Sequence, residues 1–295
     1  MIIQQINICV DSILDTLIAV MNSGPLRASI KITRKILNSE FTQIISLEYD
    51  SPCLNFDSKI NWKEIKILLK VSFPVDVLSP MATYEIQWGN VERPTHWNTS
   101  WDWVRFETSA QKWVDLSEGG YGVSLMNDCK YGHDIRDNVI RLTLLRGTTA
   151  PDVNADIGEH RFAYGLLPHT GLWNEKTIAS AYALNDPLIV FIPDKRTEIK
   201  KSLPRSFITV DQLNVVIETI KKAEDGNGII VRLYESQRKR NKVTIQTGFM
   251  IQSAFLVSLL ENPESQLDLI KRNQFEIEIR PFQIITLRII PHEEQ

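Results

Sequence analysis

From Ile65 to Val75 the sequence IKILLKVSFPV sets Ile65, Ile67, Leu69, Val71, Phe73 and Val75 on one side and Lys66, Lys70 and Ser72 on the other. A period of two is that of a strand with one face buried and one wet. RASIKITRKI (27–36), ATYEIQWGNV (82–91), NVIRLTLLRG (138–147) and HRFAYGLLPH (160–169) are further strand candidates. Turn residues such as Gly89-Asn90 and Gly119-Gly120 punctuate the chain. Helical turns are suggested only by SAYALNDPL (180–188) and QLDLIKR (266–272). The pattern predicts a largely all-β protein.

At the N-terminus, MIIQQINICVDSILDTLIAVMNSG fits a helix or two short strands equally well, and Asp11 and Asp15 interrupt its apolar run. It has no basic head and no small-residue cleavage site of a secretory signal. Near PDKRTEIKKSLPRS (193–206) the alternation gives way to Pro, Lys and Ser, a linker composition. A boundary there divides the chain into residues 1–204 and 205–295. The second part carries the strand candidates LNVVIETIKKA, GIIVRLYES, KVTIQTGFMI, SAFLVSLLE and FEIEIRPFQIITLRII, spaced as in a small sandwich. QRKRNK (237–242) falls between two of them as a solvated hairpin loop.

Composition narrows the function classes. A chain of 295 residues, 43% hydrophobic and 23% charged, with seven Trp, has the material for a sizeable buried core. The net charge of −3 leaves no basic footprint for nucleic acid, and from Arg205 onward twelve Lys and Arg stand against twelve Asp and Glu. No stretch approaches a spanning helix, so no membrane partner is expected. Cys9, Cys53 and Cys129 are too few and too scattered for a disulfide framework or a zinc CxxC pair, which suits a reducing cytoplasm.

Candidate chemistry concentrates between Arg93 and His169. RPTHWNTSWDWVRFE (93–107) gathers Trp97, Trp101, Trp103 and Phe106 around Arg93, His96, Asp102 and Arg105. A Trp face can lie on the C–H face of a sugar, but its area also suits a core. On a strand Trp101 and Trp103 would share one face, and burial of that pair is the expectation. NDCKYGHDIRDN (127–138) places three carboxylates, a lysine, a histidine, a tyrosine and a thiol between two apolar runs. His96, His133, His160 and His169 lie in this region, yet no short-spaced pair forms a zinc motif, and HDIRD is not HExxH. Cys129 could be activated by Lys130 and His133, although a small buried thiol is the plainer expectation. Asp115, Asp128, Asp134, Asp137 and Glu159 could supply a glycosidase pair, which spacing alone does not select.

The run RPTHWNTSWDWVRFETSAQKWVDLSEGGYGVSLMNDCKYGHDIRDNVIRLTLLRGTTAPD, followed by DIGEHRFAYGLLPHTG, closely resembles the C-terminal half of alpha-mannosidases of glycoside hydrolase family 38. The resemblance extends through GPLRASIKI (24–32), LKVSFPV (69–75), VVIETIKKAEDGNGIIVRLYES (215–236) and RPFQIITLRI (280–289). It implies a galactose-mutarotase-like β-supersandwich followed by a small C-terminal β-sandwich. It also implies that zinc, the Asp nucleophile and most sugar-binding groups belong to an N-terminal barrel, so no cofactor is expected on this chain. The implied partners are that catalytic domain, or a second copy of this chain through the face the domain would cover, and a mannose-containing carbohydrate. In this light NDCKYGHD is a loop closing one wall of a sugar pocket, with Asn127, Asp128, Lys130, Tyr131 and His133 in supporting roles that depend on contacts holding them in place. The alternative is an independent glycosidase or mutarotase-like epimerase, using His133 or His160 as acid and a nearby carboxylate as base.

Overall fold

A computed structural model describes residues 16–190, 192 and 206–292. The chain forms two units, one of residues 1–85 and 91–188 and the other of 86–90 and 189–295. The expected division after residue 204 lies outside the described residues, as does most of the linker around it.

In the first part of the chain the elements are β1 (Leu17–Ser23), β2 (Arg27–Ile36), β3 (Ser39–Glu48), β4 (Leu54–Trp62), β5 (Leu69–Pro74), β6 (Met81–Ile86), β7 (Gly89–Pro94) and α1 (Ser100–Val104). They continue with β8 (Thr108–Ser109), β9 (Trp113–Ser117), β10 (Tyr121–Asn127), β11 (Gly132–Arg136), β12 (Val139–Leu145), β13 (Gly158–Thr170) and α2 (Glu175–Asn185). Nine strands form one sheet in the order β1-β2-β3-β4-β13-β10-β9-β6-β7, and β5-β12-β11-β8 form a second. Between the sheets lies one core, with Phe41, Phe56, Ile60 and Trp62 from β3 and β4 meeting Ile135, Ile140 and Leu142 from β11 and β12. This is the large sandwich that the alternation and the resemblance led us to expect.

The opposite face of the nine-stranded sheet is covered at its centre. Asn174 caps α2, its Oδ1 accepting from the Lys176 amide at 2.9 Å, and Thr177, Ile178 and Ala181 are the helix's buried residues. With α2 on one side and the core on the other, β9 and β10 are buried on both faces. Their sequences WVDLS and YGVSLMN therefore carry buried polar groups, Asp115 and Ser124, where a one-sided strand would carry solvated ones.

Several expectations are corrected. The segment 82–91 is not one strand but the turn of the β6–β7 hairpin, with Trp88 at φ 52° in the left-handed region. Trp101 and Trp103 lie on α1, not on a strand, and are 76% and 70% exposed. The cause is local: Thr99 and Asp102 form a reciprocal capping box that starts a helix where a strand was expected. QLDLIKR is also not helical, since it runs through two short strands. At the N-terminus, Leu17–Ser23 is a strand; residues 1–15 lie outside the described set.

The second unit has β14 (Ile208–Val210), β15 (Val215–Lys222), β16 (Ile229–Glu235), β17 (Asn241–Thr247), β18 (Ile251–Val257), β19 (Pro263–Leu267), β20 (Leu269–Lys271), β21 (Gln274–Ile279) and β22 (Ile284–Pro291). They form a four-stranded sheet, β14-β17-β21-β20, and a five-stranded sheet, β15-β16-β22-β18-β19. Val231, Leu233, Val243, Ile245, Phe275 and Leu287, all almost fully buried, belong to the core these sheets share. QRKRNK is solvated, with Arg238, Lys239 and Arg240 exposed, but it does not turn the expected hairpin: β16 and β17 belong to different sheets, and the segment crosses from one to the other. The fully buried Glu235 carboxylate accepts from Asn214 Nδ2 at 2.7 Å and from the amides of Gln237 at 2.7 Å and Phe282 at 3.0 Å.

Candidate functional site

The polar loop begins where β10 ends. Asn127 is buried, and its side chain works in two directions: Oδ1 accepts from the Lys130 amide at 2.6 Å, and Nδ2 donates to the Gln111 carbonyl at 3.0 Å. An Asn that closes a turn through its own oxygen substitutes for a backbone hydrogen bond. Asp128 pairs with β13, its amide donating to the Ala163 carbonyl at 3.1 Å and its Oδ2 accepting from the Ala163 amide at 3.0 Å. Lys130 sets its ammonium 4.8 Å from the centre of the Phe162 ring. Asn185, at the end of α2, donates to the Asn127 carbonyl at 2.9 Å. The loop is thus braced from within its own unit, and it presents Tyr131, 54% exposed, at its surface. The holding contacts on which a supporting role depends are present without a neighbouring domain.

Cys129 is exposed rather than buried, which corrects the expectation of a buried thiol. It is not an activated nucleophile: partial desolvation, then its hydrogen bond with Asp128 and the charge of that carboxylate, push the thiol up to about 11.

His133 parts from the rest of the loop. It is fully buried on β11, with Nδ1 3.2 Å from the Tyr131 carbonyl. A carbonyl cannot donate, so Nδ1 carries the proton and Nε2 is a bare acceptor. Burial lowers the ring's pKa to about 4, so it is neutral at ordinary pH. Its neighbour Asp134 points the other way along the strand and binds Lys70 at 2.6 Å and Arg141 at 2.8 Å. His160 donates from Nε2 to the Asp156 carbonyl at 2.8 Å. In neither case does the ring hydrogen-bond a carboxylate.

The histidine that does meet a carboxylate is His169, whose Nε2 lies 2.7 Å from Asp115 Oδ2. The same oxygen accepts from Ser124 Oγ at 2.7 Å, and Ser124 in turn meets Thr177 Oγ1 of α2 at 3.1 Å. Gly122 sits opposite His169 in the β10–β13 register, and a Cβ there would fall 2.4 Å from the imidazole Cε1. Burial alone would lower the His169 pKa, but the hydrogen bond to Asp115 and the charge of that carboxylate, with backbone hydrogen bonds at Gly171 and Thr170, together hold the value above the ordinary range. The cluster ties β9, β10, β13 and α2 together beneath the helix. Sequence reasoning missed this cluster; the signal that could have found it is an aspartate inside an otherwise apolar strand, WVDLS.

Among the described residues no group of three or more His, Cys, Asp or Glu could hold a metal ion. No helix among them is long and apolar enough to cross a membrane.

Fold and loop together define a two-unit β module that carries a braced polar loop at the end of its central strands. Residues 4–154 match the glycosyl hydrolases family 38 C-terminal domain, and residues 214–287 match the glycosyl hydrolases family 38 C-terminal beta sandwich domain. The chain belongs to glycosyl hydrolase family 38 and corresponds to its C-terminal β region. It is 40% identical over 279 residues to the human protein alpha-mannosidase 2C1, covering 92% of this chain and 26% of that protein. It is 35% identical over 288 residues to alpha-mannosidase G of Dictyostelium discoideum, covering 95% of this chain and 26% of the relative. The chain therefore spans about a quarter of the length of the curated relatives it matches. The crystal structure of an alpha-mannosidase from Enterococcus faecalis V583 superposes with a TM-score of 0.77 at 20% identity, over 92% of this chain and 35% of that one, and shares the fold.

Proposed function

We propose that this chain acts as the C-terminal β part of an alpha-mannosidase, packing beside a catalytic domain and lending a wall to the pocket in which a mannose-containing carbohydrate is hydrolysed. The observation that supports it is the match of both β units, in order, to the family's two C-terminal domain models. Within the loop, Asn127 and Asp128 are spent on bracing, while Lys130 and Tyr131 are the groups positioned to meet sugar hydroxyls. A phenol offers a donor, an acceptor and an apolar face, and an ammonium offers donors. Binding groups held by contacts behind them lose little freedom when a ligand arrives, which is how such a wall contributes affinity and selectivity. The cytoplasm is the compartment we assign, in keeping with Cys53 and Cys129 as free thiols.

The test is an assay of the purified chain with an aryl alpha-mannoside and added zinc. The expected result is no turnover by the chain alone. Turnover that is abolished by Asp128→Asn or His133→Gln would overturn the assignment in favour of an independent enzyme.

A further inference from the structure

The nine-stranded sheet is wider than the four-stranded sheet that faces it, and two cross-strand rows on its core-facing side run out from under the cover. One row is Tyr164, Phe56, Ile45, Ile30 and Val20, each opposite the next in register from β13 through β4, β3 and β2 to β1. Phe56 is 7% exposed and Ile45 packs half-buried against the core, but Ile30 is 36% and Val20 71% exposed. The other row is Phe162, Ser58, Gln43, Ile32 and Ile18, buried as far as Gln43 and 66% exposed at Ile18. Apolar side chains at matched positions on neighbouring strands make one inner face of a sandwich. Here the last two strands of that face meet solvent.

The uncovered strip begins where the facing sheet stops. β5 is an edge strand of that sheet, and the centre of its Phe73 ring lies 5.7 Å from that of Phe56 on β4 and 6.2 Å from that of Tyr164 on β13. Among the described residues β5 pairs with β12 only, so its other edge is open. Neighbouring strands lie about 4.8 Å apart, so strands added at that edge continue the cover over β3, β2 and β1. β1, LIAVMNS, carries neither a charge nor a proline, the usual guards of an unpaired edge strand. Its composition suits a strand inside a sandwich, while its position is at the rim.

We propose that this strip is covered by apolar β-strand from the part of an alpha-mannosidase that lies outside the matched region, hydrogen-bonded to the free edge of β5 and packed on Ile18, Val20, Ile30 and Ile32. The chain covers 26% of the curated relatives above, so most of their length is available to supply such a strand. Pairing β1 with β1 of a second copy would extend the sheet and leave both rows wet. Strand addition at an open edge takes its affinity from main-chain hydrogen bonds and its selectivity from the side chains of alternate residues. The inference rests on the reading of this chain as the C-terminal β part of an alpha-mannosidase, and adds where the two parts join.

The whole chain is co-expressed with the remainder of an alpha-mannosidase 2C1-like relative, and amide hydrogen exchange in β1, β2 and β5 is compared between the complex and the chain alone. At least tenfold slower exchange in β1 and β5 within the complex is expected. Ile18 and Val20 are exposed and Thr keeps a β-branched side chain, so the double variant Ile18→Thr, Val20→Thr leaves the unfolding transition of the chain alone in place and weakens the complex at least tenfold. A complex that forms and turns over an aryl alpha-mannoside while β1 and β5 exchange as in the free chain, or that the double variant forms as tightly as the parent, would overturn this inference and leave the mannosidase reading standing. Failure to form any complex would overturn both. Protection of β1 in the chain alone that grows with its concentration would assign the strip to a second copy and overturn the proposal.

Discussion

Replacing Asp115 by Asn keeps the side chain's shape and removes its charge at a point where α2 is fastened to the sheet. The Asp115 side chain is 1% exposed and that of His169 is 12% exposed, so solvent screens the pair little. Two hydrogen bonds to a carboxylate, from His169 and Ser124, become two bonds to an amide. Bonds to a charged group contribute about 1.5–3 kcal/mol and neutral ones about 0.5–1.5, so the exchange costs roughly 2 kcal/mol. Asp115→Leu, which strands the imidazole, costs about 3–5 kcal/mol. The substitution also changes the pH dependence. His169 binds its proton more tightly folded than unfolded, so its contribution is fully present below the unfolded pKa of about 6.5 and is lost as pH rises through the raised folded value. Urea unfolding followed by the fluorescence of Trp113 and Trp173, whose rings lie 4.8 Å apart beside the cluster, reads both effects. The parent should lose stability across that alkaline flank, and Asp115→Asn should be lower and flatter. A cost below about 0.5 kcal/mol with an unchanged pH slope would refute the ion-pair account.

Three further outcomes follow from the same geometry. Gly122→Ala places a Cβ 2.4 Å from both the His169 ring and Ser117 Cβ, and should destabilise the first unit by about 1–3 kcal/mol in thermal unfolding. Glu235→Ala leaves one buried and two half-buried donors without their acceptor and should destabilise the second unit by about 3 kcal/mol, measured by hydrogen exchange in β15, β16 and β22 while the first unit stays protected. With its thiol pushed up to about 11, Cys129 should alkylate slowly with iodoacetamide at pH 8, and Asp128→Asn, by removing the carboxylate that raises the pKa, should speed the reaction.

The sequence showed most strands where one face is plainly apolar, as in RASIKITRKI, which is β2 from end to end. It hid β3 and β4, both central to the large sheet, for a physical reason. Their core-facing positions include Gln43 and Ser58, whose side chains bond each other at 2.9 Å, while Gln43 also reaches Tyr164 OH at 2.7 Å. A satisfied polar group is at home in a core but breaks the alternation that reveals a strand. Along IKILLKVSFPV the alternation overshoots: Lys66 has φ 58° and the strand begins only at Leu69. The candidate loop was legible as a cluster of residue types, because its residues are contiguous. Its division was not, since nothing in NDCKYGHD says that His133 faces inward while Tyr131 faces solvent.

The most direct test of the account combines this chain with the catalytic part of an alpha-mannosidase 2C1-like relative from which the C-terminal β region has been removed, reading complex formation by light scattering and turnover of an aryl alpha-mannoside. A one-to-one complex is expected, with turnover at least tenfold above that of either part, and with Lys130→Ala and Tyr131→Ala raising KM while the complex still forms. Failure of the two parts to associate, or full activity of the complex with both side chains removed, would contradict it.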